Sequence, residues 1–340
     1  MKKIKIGING VGRIGRTIMR EYISRLAEGE KLNVELVAVN NPGSHEIYAH
    51  LLKYDSVHGI LPYEVSLNGT TLTMHNQKIE FYAEKDPKAI KWGDHEIDIV
   101  IDATGIFKDK PGLSQHLHST VKKVIMCAPG KDLDGTFVLG INHDQYDSTK
   151  HHVISNASCT TNCLAPVAKV LEEKFGIENG FMTTVHAYTS DQTLLDNSHS
   201  DFRRARAAAM SMVPTSTGAA KALGEVLPSL KGKLDGYAVR VPTPDVSMVD
   251  LTVNLKSAAT KEQVNQVMKE AAQTYLKGIL GYTDLELVSM DFTGRRESSV
   301  FDSKLTNVIG KNLKIVSWYD NEVGFSNRVI DLASMVASKL

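Results

Sequence analysis

Cysteine is scarce in this chain: Cys127, Cys159 and Cys163 are the only three in 340 residues. An odd, low number excludes a disulfide framework and fits a reducing compartment, so a cytoplasmic protein is expected. Net charge is missing too, with 39 basic and 39 acidic side chains. That balance excludes a broad attraction to nucleic acid or to an anionic membrane, and any anion site has to be local. No run approaches the roughly 18 apolar residues of a membrane span. The start, MKKIKIGING, lacks the apolar stretch and small-residue cleavage site of a signal peptide. Internal repeats, low-complexity tracts and Pro/Ser-rich linkers are also lacking. CTTNC has no second ligand pair at short spacing, so no metal is expected.

What is present reads as two domains, the usual outcome at this length. KIKIGIN, VELVAVN, DIVIDAT, KKVIMCA and HHVISNA are short, rich in Val and Ile, and bounded by Gly, Pro or polar clusters, as strands are. Between the first two, Ile14, Ile18 and Tyr22 recur at helical spacing and Gly29 marks a stop. That βαβ pattern predicts a parallel sheet covered by helices. Alternation around Asn68-Gly69 predicts an antiparallel hairpin inserted into this domain. After about residue 158 the pattern changes to longer strands (FMTTVHAYT, GYAVRVP, VSMVDLTVNL, LKIVSWYD) with helices between them and a polar, basic loop through DQTLLDNSHSDFRRAR. The fold class expected is therefore α/β. A Rossmann-type dinucleotide-binding domain spans 1–158, and an α+β catalytic domain with a mixed, largely antiparallel sheet spans 159–320. The helix at 321–340 completes the first domain.

Two motifs carry chemistry. GINGVGRIGR contains Gly10-x-Gly12-x-x-Gly15 after a strand and opening a helix. Gly10 permits the tight turn, Gly12 lets the backbone approach a pyrophosphate, and Gly15 lets the helix lie close on the sheet. SNASCTTNCLAP places Cys159 where a strand ends and a helix begins. A helix start favours thiolate over thiol, so Cys159 is expected to be an activated nucleophile. Ser158, Thr160 and Thr161 put hydroxyls and N–H groups nearby. Cys163, four residues on, reads as a buried small hydrophobe. Among 12 histidines, His186 is the best-placed base, at the end of the strand that follows the Cys159 helix.

ASCTTNCLAP closely resembles the active-site signature of phosphorylating glyceraldehyde-3-phosphate dehydrogenases. The resemblance runs the length of the chain through HLLKYDSVHG, HAYTSDQ, RRARAAA, PTSTGAAKA, RVPTPDVSMVDL and WYDNEVGFSNRV. It implies a homotetramer that oxidises glyceraldehyde 3-phosphate with inorganic phosphate to an acyl phosphate. Cys159 would be the nucleophile, forming a thiohemiacetal and then a thioester, and His186 the base. Thr189, Asp191 and Arg240 match positions around the substrate phosphate. Ser158, Thr160, Arg204, Thr217 and Gly218 match the rest of the anion-binding set. On the cofactor side the resemblance points to Arg13 and Ile14, whose backbone meets the pyrophosphate, and to Lys85 and Thr104. Asn321 matches the residue whose amide holds the nicotinamide carboxamide, and Cys127 stands where Ser is usual. A sister erythrose-4-phosphate dehydrogenase, or a primarily non-catalytic binding role, are the rival readings.

One further absence bears on the cofactor. After such a glycine loop an Asp or Glu usually holds the adenosine ribose 2′-hydroxyl of NAD and repels the 2′-phosphate of NADP. Here Asn41 takes the position, in NNPGS, and Ser44 with the turn's N–H groups stands ready for a phosphate. Asn197-Ser198 stands where NAD-specific relatives carry Leu-Pro, in a loop that in the family reaches the neighbouring subunit's adenosine. Substantial use of NADP, alongside NAD or in preference to it, is therefore expected.

Overall fold

Val- and Ile-rich segments become strands because β-branched side chains pack well on a pleated surface, and this chain uses them in two separate sheets. The computed structural model describes residues 3–340. One unit comprises the chain through Leu139, His143–Ala157 and Ser326–Leu340; the other comprises Gly140–Asn142 and Ser158–Phe325.

The first unit runs β1 (Ile4–Asn9), α1 (Arg13–Ala27), β2 (Val34–Asn40) and α2 (His45–Lys53). Two-residue strands β3 (Tyr54–Asp55) and β4 (Gly59–Ile60) pair with each other. Next come β5 (Val65–Asn68), β6 (Thr71–Met74), β7 (Gln77–Tyr82), β8 (Ile99–Asp102), the short α3 (Lys110–Leu113), β9 (Lys123–Met126), β10 (Gly135–Thr136) and β11 (Val153–Ser155). The sheet order is β10-β11-β9-β8-β1-β2-β7-β6-β5. β1 pairs in parallel with β2 on one side and with β8 on the other, so the strand order reverses at its carboxyl end. That is the place where open α/β sheets bind ligands. β8 and β9 are buried at every position, as central parallel strands are. The expected hairpin, β5-β6, does form, but it is not a separate insertion: β6 pairs antiparallel with β7, and β7 joins β2 in parallel. It extends the main sheet, and α2 covers it by stacking His45 on Phe81 at 4.3 Å between ring centroids.

The second unit runs α4 (Cys159–Phe175), β12 (Ile177–Ala187), β13 (Val213–Ser216), α5 (Ala219–Val226), β14 (Leu234–Val241), β15 (Ser247–Leu255), α6 (Lys261–Gln273), β16 (Leu280–Thr283), β17 (Ser299–Ile309) and β18 (Asn312–Tyr319). The sheet order is β13-β14-β12-β15-β18-β17-β16. Four of its ladders are antiparallel, while β12-β14 and β16-β17 are parallel. Strand β17 was not expected. Its buried residues Asp302, Ser303 and Thr306 interrupt the apolar alternation that marks a strand in sequence. Helix α4 buries Cys163, Leu164, Val167, Ala168 and Leu171 against this sheet. α6 begins with a capping box between Thr260 and Gln263. The last helix, α7 (Val323–Ala337), contributes its residues from Ser326 onward to the first unit. There Asp331 meets Arg25 of α1 at 2.7 Å and Asn327 donates to Glu21 at 2.9 Å.

Candidate active site

In the first unit the glycine loop joins β1 to α1. Gly10 has φ +99°, a conformation that favours glycine, and a Cβ there would meet the backbone of Ala103 and Thr104 at 2.8 Å. A Cβ on Gly15 would lie 1.9 Å from the Gly10 carbonyl oxygen, so this glycine lets α1 lie on the loop. Gly12 is different: nothing lies within 4 Å of where its Cβ would be. It is the N-cap of α1, whose start has no capping side chain and no acid in its first turn. An open backbone at an uncapped helix start fits the pyrophosphate of a dinucleotide. Ile14 follows Arg13 in that first turn. The Arg13 side chain turns away to Asp55 at 2.6 Å. Burial would raise the Asp55 carboxyl, but the N–H groups of His58 and Val57 and the Arg13 guanidinium hold it at about 2.

Around the adenosine position, Asn41 Oδ1 accepts from Val11 N at 2.8 Å and Nδ2 donates to the Pro42 carbonyl at 2.9 Å. Its orientation is fixed, because a backbone N–H needs the oxygen end of the amide. Ser44 caps α2 and its hydroxyl lies 2.6 Å from a Glu46 carboxylate oxygen. The hydroxyl on which a phosphate was expected to rest is thus engaged by a carboxylate of the same turn. Thr104 donates to Asp102 at 2.7 Å. Lys85 is exposed, directly after Glu84, whose N–H is held by Asn40. Cys127 is held through its N–H by the Asp102 carbonyl, and burial raises its thiol well above the ordinary value.

In the second unit Cys159 opens α4. The turn into it passes through Ala157 at φ +57°, a left-handed conformation rare for a residue with a side chain. Ser158 caps the helix, its Oγ accepting from Thr161 N at 3.0 Å. The Thr160 hydroxyl points inward to Tyr319 at 2.9 Å, so it is not presented to an anion. His186, near the end of β12, has Nε2 3.5 Å from Cys159 Sγ. Its Nδ1 lies 2.7 Å from the Ala187 carbonyl oxygen, which only accepts. Arg240 Nη1, which can only donate, lies 2.9 Å from the same Nδ1, so its two neighbours make opposite demands on that nitrogen, while Nε2 is the nitrogen that faces the sulfur. Burial, reinforced by the Arg240 cation, lowers the imidazole to about 3, so the ring is neutral.

The direction at Cys159 runs against the thiolate expected from the helix start. Burial raises the Cys159 thiol, and this outweighs the Arg240 charge and the hydrogen bonds from Thr160 that favour the anion. Cys163 is fully buried beside Ser299 and Ser317, with its thiol pushed up to about 12.

Arg240 is the neighbour of His186 across the β12-β14 ladder. Its Nη1 reaches the Ala187 carbonyl at 3.0 Å and Thr189 Oγ1 at 3.5 Å. Its buried Nε has no hydrogen-bond partner among the described residues. An orphaned donor on a cation beside a nucleophile fits an anionic substrate group. Arg204 is differently placed. It is ion-paired to Asp191, donates to Thr215 Oγ1 at 2.9 Å and reaches the Ser216 carbonyl at 3.2 Å. Asp191 therefore neutralises Arg204, and Arg240 is the less compensated of the two. Thr217 accepts from Ala219 N at 3.2 Å, and Gly218 is the N-cap of α5. Ser198 is exposed in the loop before β13. Asn321 follows β18, its Oδ1 accepting from Ser247 at 2.7 Å. Sequence reasoning missed Ser247 and Tyr319, whose contacts join segments between 60 and 159 residues apart.

Two family descriptions match. Residues 4–110 match "Glyceraldehyde 3-phosphate dehydrogenase, NAD binding domain" and residues 158–321 match "Glyceraldehyde 3-phosphate dehydrogenase, C-terminal domain". Among similar proteins is a glyceraldehyde-3-phosphate dehydrogenase of Geobacillus stearothermophilus, 54% identical over 337 residues and covering 99% of each chain. One from Priestia megaterium is 53% identical over 337 residues with the same coverage. Trichormus variabilis has a glyceraldehyde-3-phosphate dehydrogenase 2 that is 52% identical over 338 residues, again with 99% of each chain covered.

Proposed function

The chain belongs to the glyceraldehyde 3-phosphate dehydrogenase family, and we propose that it catalyses the reversible phosphorylating oxidation of glyceraldehyde 3-phosphate to 1,3-bisphosphoglycerate with NAD. The observation that carries the mechanism is the 3.5 Å approach of Cys159 Sγ to a neutral His186 Nε2. His186 takes the thiol proton as sulfur bonds to the aldehyde carbon, and returns it to the carbonyl oxygen to give a thiohemiacetal on Cys159. It then takes the hydroxyl proton as the carbon is oxidised to a thioester. NAD, when bound by Gly10, Gly12, Gly15 and the start of α1, supplies the hydride acceptor. Inorganic phosphate attacks the thioester, and Cys159 leaves as thiolate and regains a proton from His186. Arg240 and Thr189 would hold substrate phosphate, with Arg204, Asp191, Thr217 and Gly218 completing the anion-binding region.

On the cofactor, the uncharged Asn41 removes the repulsion that a carboxylate would exert on a 2′-phosphate, so NADP would be used alongside NAD. Glu46, hydrogen-bonded to Ser44, opposes this by placing a carboxylate on the same turn. Initial rates with glyceraldehyde 3-phosphate and phosphate, comparing NAD with NADP and erythrose 4-phosphate as rival substrate, test both readings. Asn41→Asp should shift kcat/KM toward NAD, Ser198→Pro should add to that shift, and Glu46→Gln should shift it toward NADP. A wild-type preference for NAD of about a thousandfold, on the order of 4 kcal/mol, would mean that Asn41 is not the switch.

For assembly, the β12-β14 face opposite α4 is open. Phe181 is 73% exposed and Tyr237 53% exposed, and Phe202 in the preceding loop is 89% exposed. Large apolar groups clustered on one face mark an interaction surface, which supports a homotetramer joined in part through this sheet. Three cysteines without a disulfide fit a cytoplasmic location.

A further inference from the structure

Three strand ends in the second unit meet at one hydroxyl. Ser247 opens β15, opposite Tyr319 of β18 and one residue from the β12 ladder pair Val185-Met248. Its Oγ accepts from Ala187 N at 3.0 Å and lies 2.7 Å from Asn321 Oδ1. An amide N–H can only donate, so the hydroxyl proton of Ser247 is available to Asn321, whose Oδ1 accepts it. This arrangement uses the one hydroxyl proton on an acceptor, with the Asn321 oxygen held inward and its Nδ2 left as the outward donor. That Nδ2 makes no hydrogen bond among the described residues. Ser247 is 1% exposed and Asn321 5%, so water does not compete freely for these contacts. The carbonyl of the same Ala187 lies 2.7 Å from His186 Nδ1.

We propose that Ser247 is a positioning residue for the redox step, locking the Asn321 amide in the orientation that donates to a nicotinamide carboxamide. This rests on the reading that Asn321 holds the carboxamide. The assignment is specific: the hydroxyl works by orientation, so its loss should matter only to ligands that carry the carboxamide. Cys159 chemistry that needs no cofactor should be untouched.

The test is isothermal titration of wild type, Ser247→Ala, Ser247→Cys, Ser247→Thr and Asn321→Ala with NAD and with ADP-ribose, which lacks the nicotinamide. Alongside it, the stereochemistry of deuteride transfer and the rate of Cys159 alkylation are measured. Ser247→Ala should weaken NAD about tenfold, the scale of one orienting hydrogen bond, leave ADP-ribose and alkylation unchanged, and let deuteride reach both ring faces. Ser247→Thr should restore all of these. If Ser247→Ala does not fold, Ser247→Cys, which keeps the volume with a weaker donor, should show a smaller loss confined to NAD. Equal weakening of NAD and ADP-ribose in the folded variants, or no weakening of either, overturns the proposal. Asn321→Ala separates the two ideas: if it keeps the wild-type gap between NAD and ADP-ribose, the carboxamide reading of Asn321 falls, whatever Ser247 does.

Discussion

Arg240 does two things that a lysine would not do equally well. Its planar fork reaches the Ala187 carbonyl and Thr189 while a buried Nε remains unpaired, and its charge opposes the burial that raises the Cys159 thiol. Arg240→Leu should therefore move the pH profile of iodoacetamide alkylation at Cys159 upward and slow the reaction at neutral pH; an unmoved profile would remove Arg240 from the activation of the thiol. In the wild type, Cys159 should be labelled well before Cys127 or Cys163. Those two thiols are raised by burial, Cys127 well above its ordinary value and Cys163 to about 12. Cys159 alone among the three also has a base at 3.5 Å. His186→Asn should cost roughly a hundredfold or more in turnover, the usual scale of general acid–base help, as steady-state kinetics would show.

At the scale of an element, the β1-loop-α1 unit separates fold from binding within five residues. Gly15→Ala would drive a Cβ to 1.9 Å from the Gly10 carbonyl oxygen, so both stability and cofactor affinity should fall. Gly12→Ala meets nothing within 4 Å, so its melting temperature should stay near that of wild type while NAD affinity drops. Thermal melts paired with NAD titration distinguish the two, and a Gly12→Ala protein with full affinity would contradict the pyrophosphate assignment. The start of the same helix is tied down by Arg13-Asp55. The folded Asp55 carboxyl, at about 2, lies below its ordinary value near 3.9. The sign follows: the unfolded chain binds this proton first as pH falls. The contribution of Asp55 is thus complete above about pH 4–5 and lost as pH drops toward about 2. The stability gap between wild type and Asp55→Asn should accordingly be flat above that range and close below it, as denaturant melts across pH would reveal.

Over the whole molecule, the open sheet face sets the expected assembly. Placing carboxylates there, as Phe181→Asp with Tyr237→Asp, should leave the helix-covered side of the sheet intact, since Met182 and Ala238 point the other way and are buried. Light scattering after size exclusion should then report a smaller species than wild type. Retention of the wild-type mass would show that this face is not part of the assembly.

The sequence by itself determined the fold class, the glycine loop and the candidate nucleophile, because each is local. Gly10-x-Gly12-x-x-Gly15 and Ser158-Cys159 act through the backbone turn that they themselves form, and period-two and period-3.6 patterns report which side chains need burial. Strand β17 escaped that pattern because tertiary contacts satisfy its buried polar groups: Ser303 donates to the Thr283 carbonyl at 2.8 Å and Thr306 to Asn265 at 2.7 Å. Only the tertiary structure decided what state and direction each site group has. It set the Cys159 thiol by burial, the neutral His186 ring by burial and the Arg240 cation, the Thr160 hydroxyl by Tyr319, the Arg204 charge by Asp191, and the Asn321 amide by Ser247. Protonation and orientation depend on which partners lie within about 3 Å in a desolvated site, and those partners are brought together by strand register rather than by sequence neighbourhood.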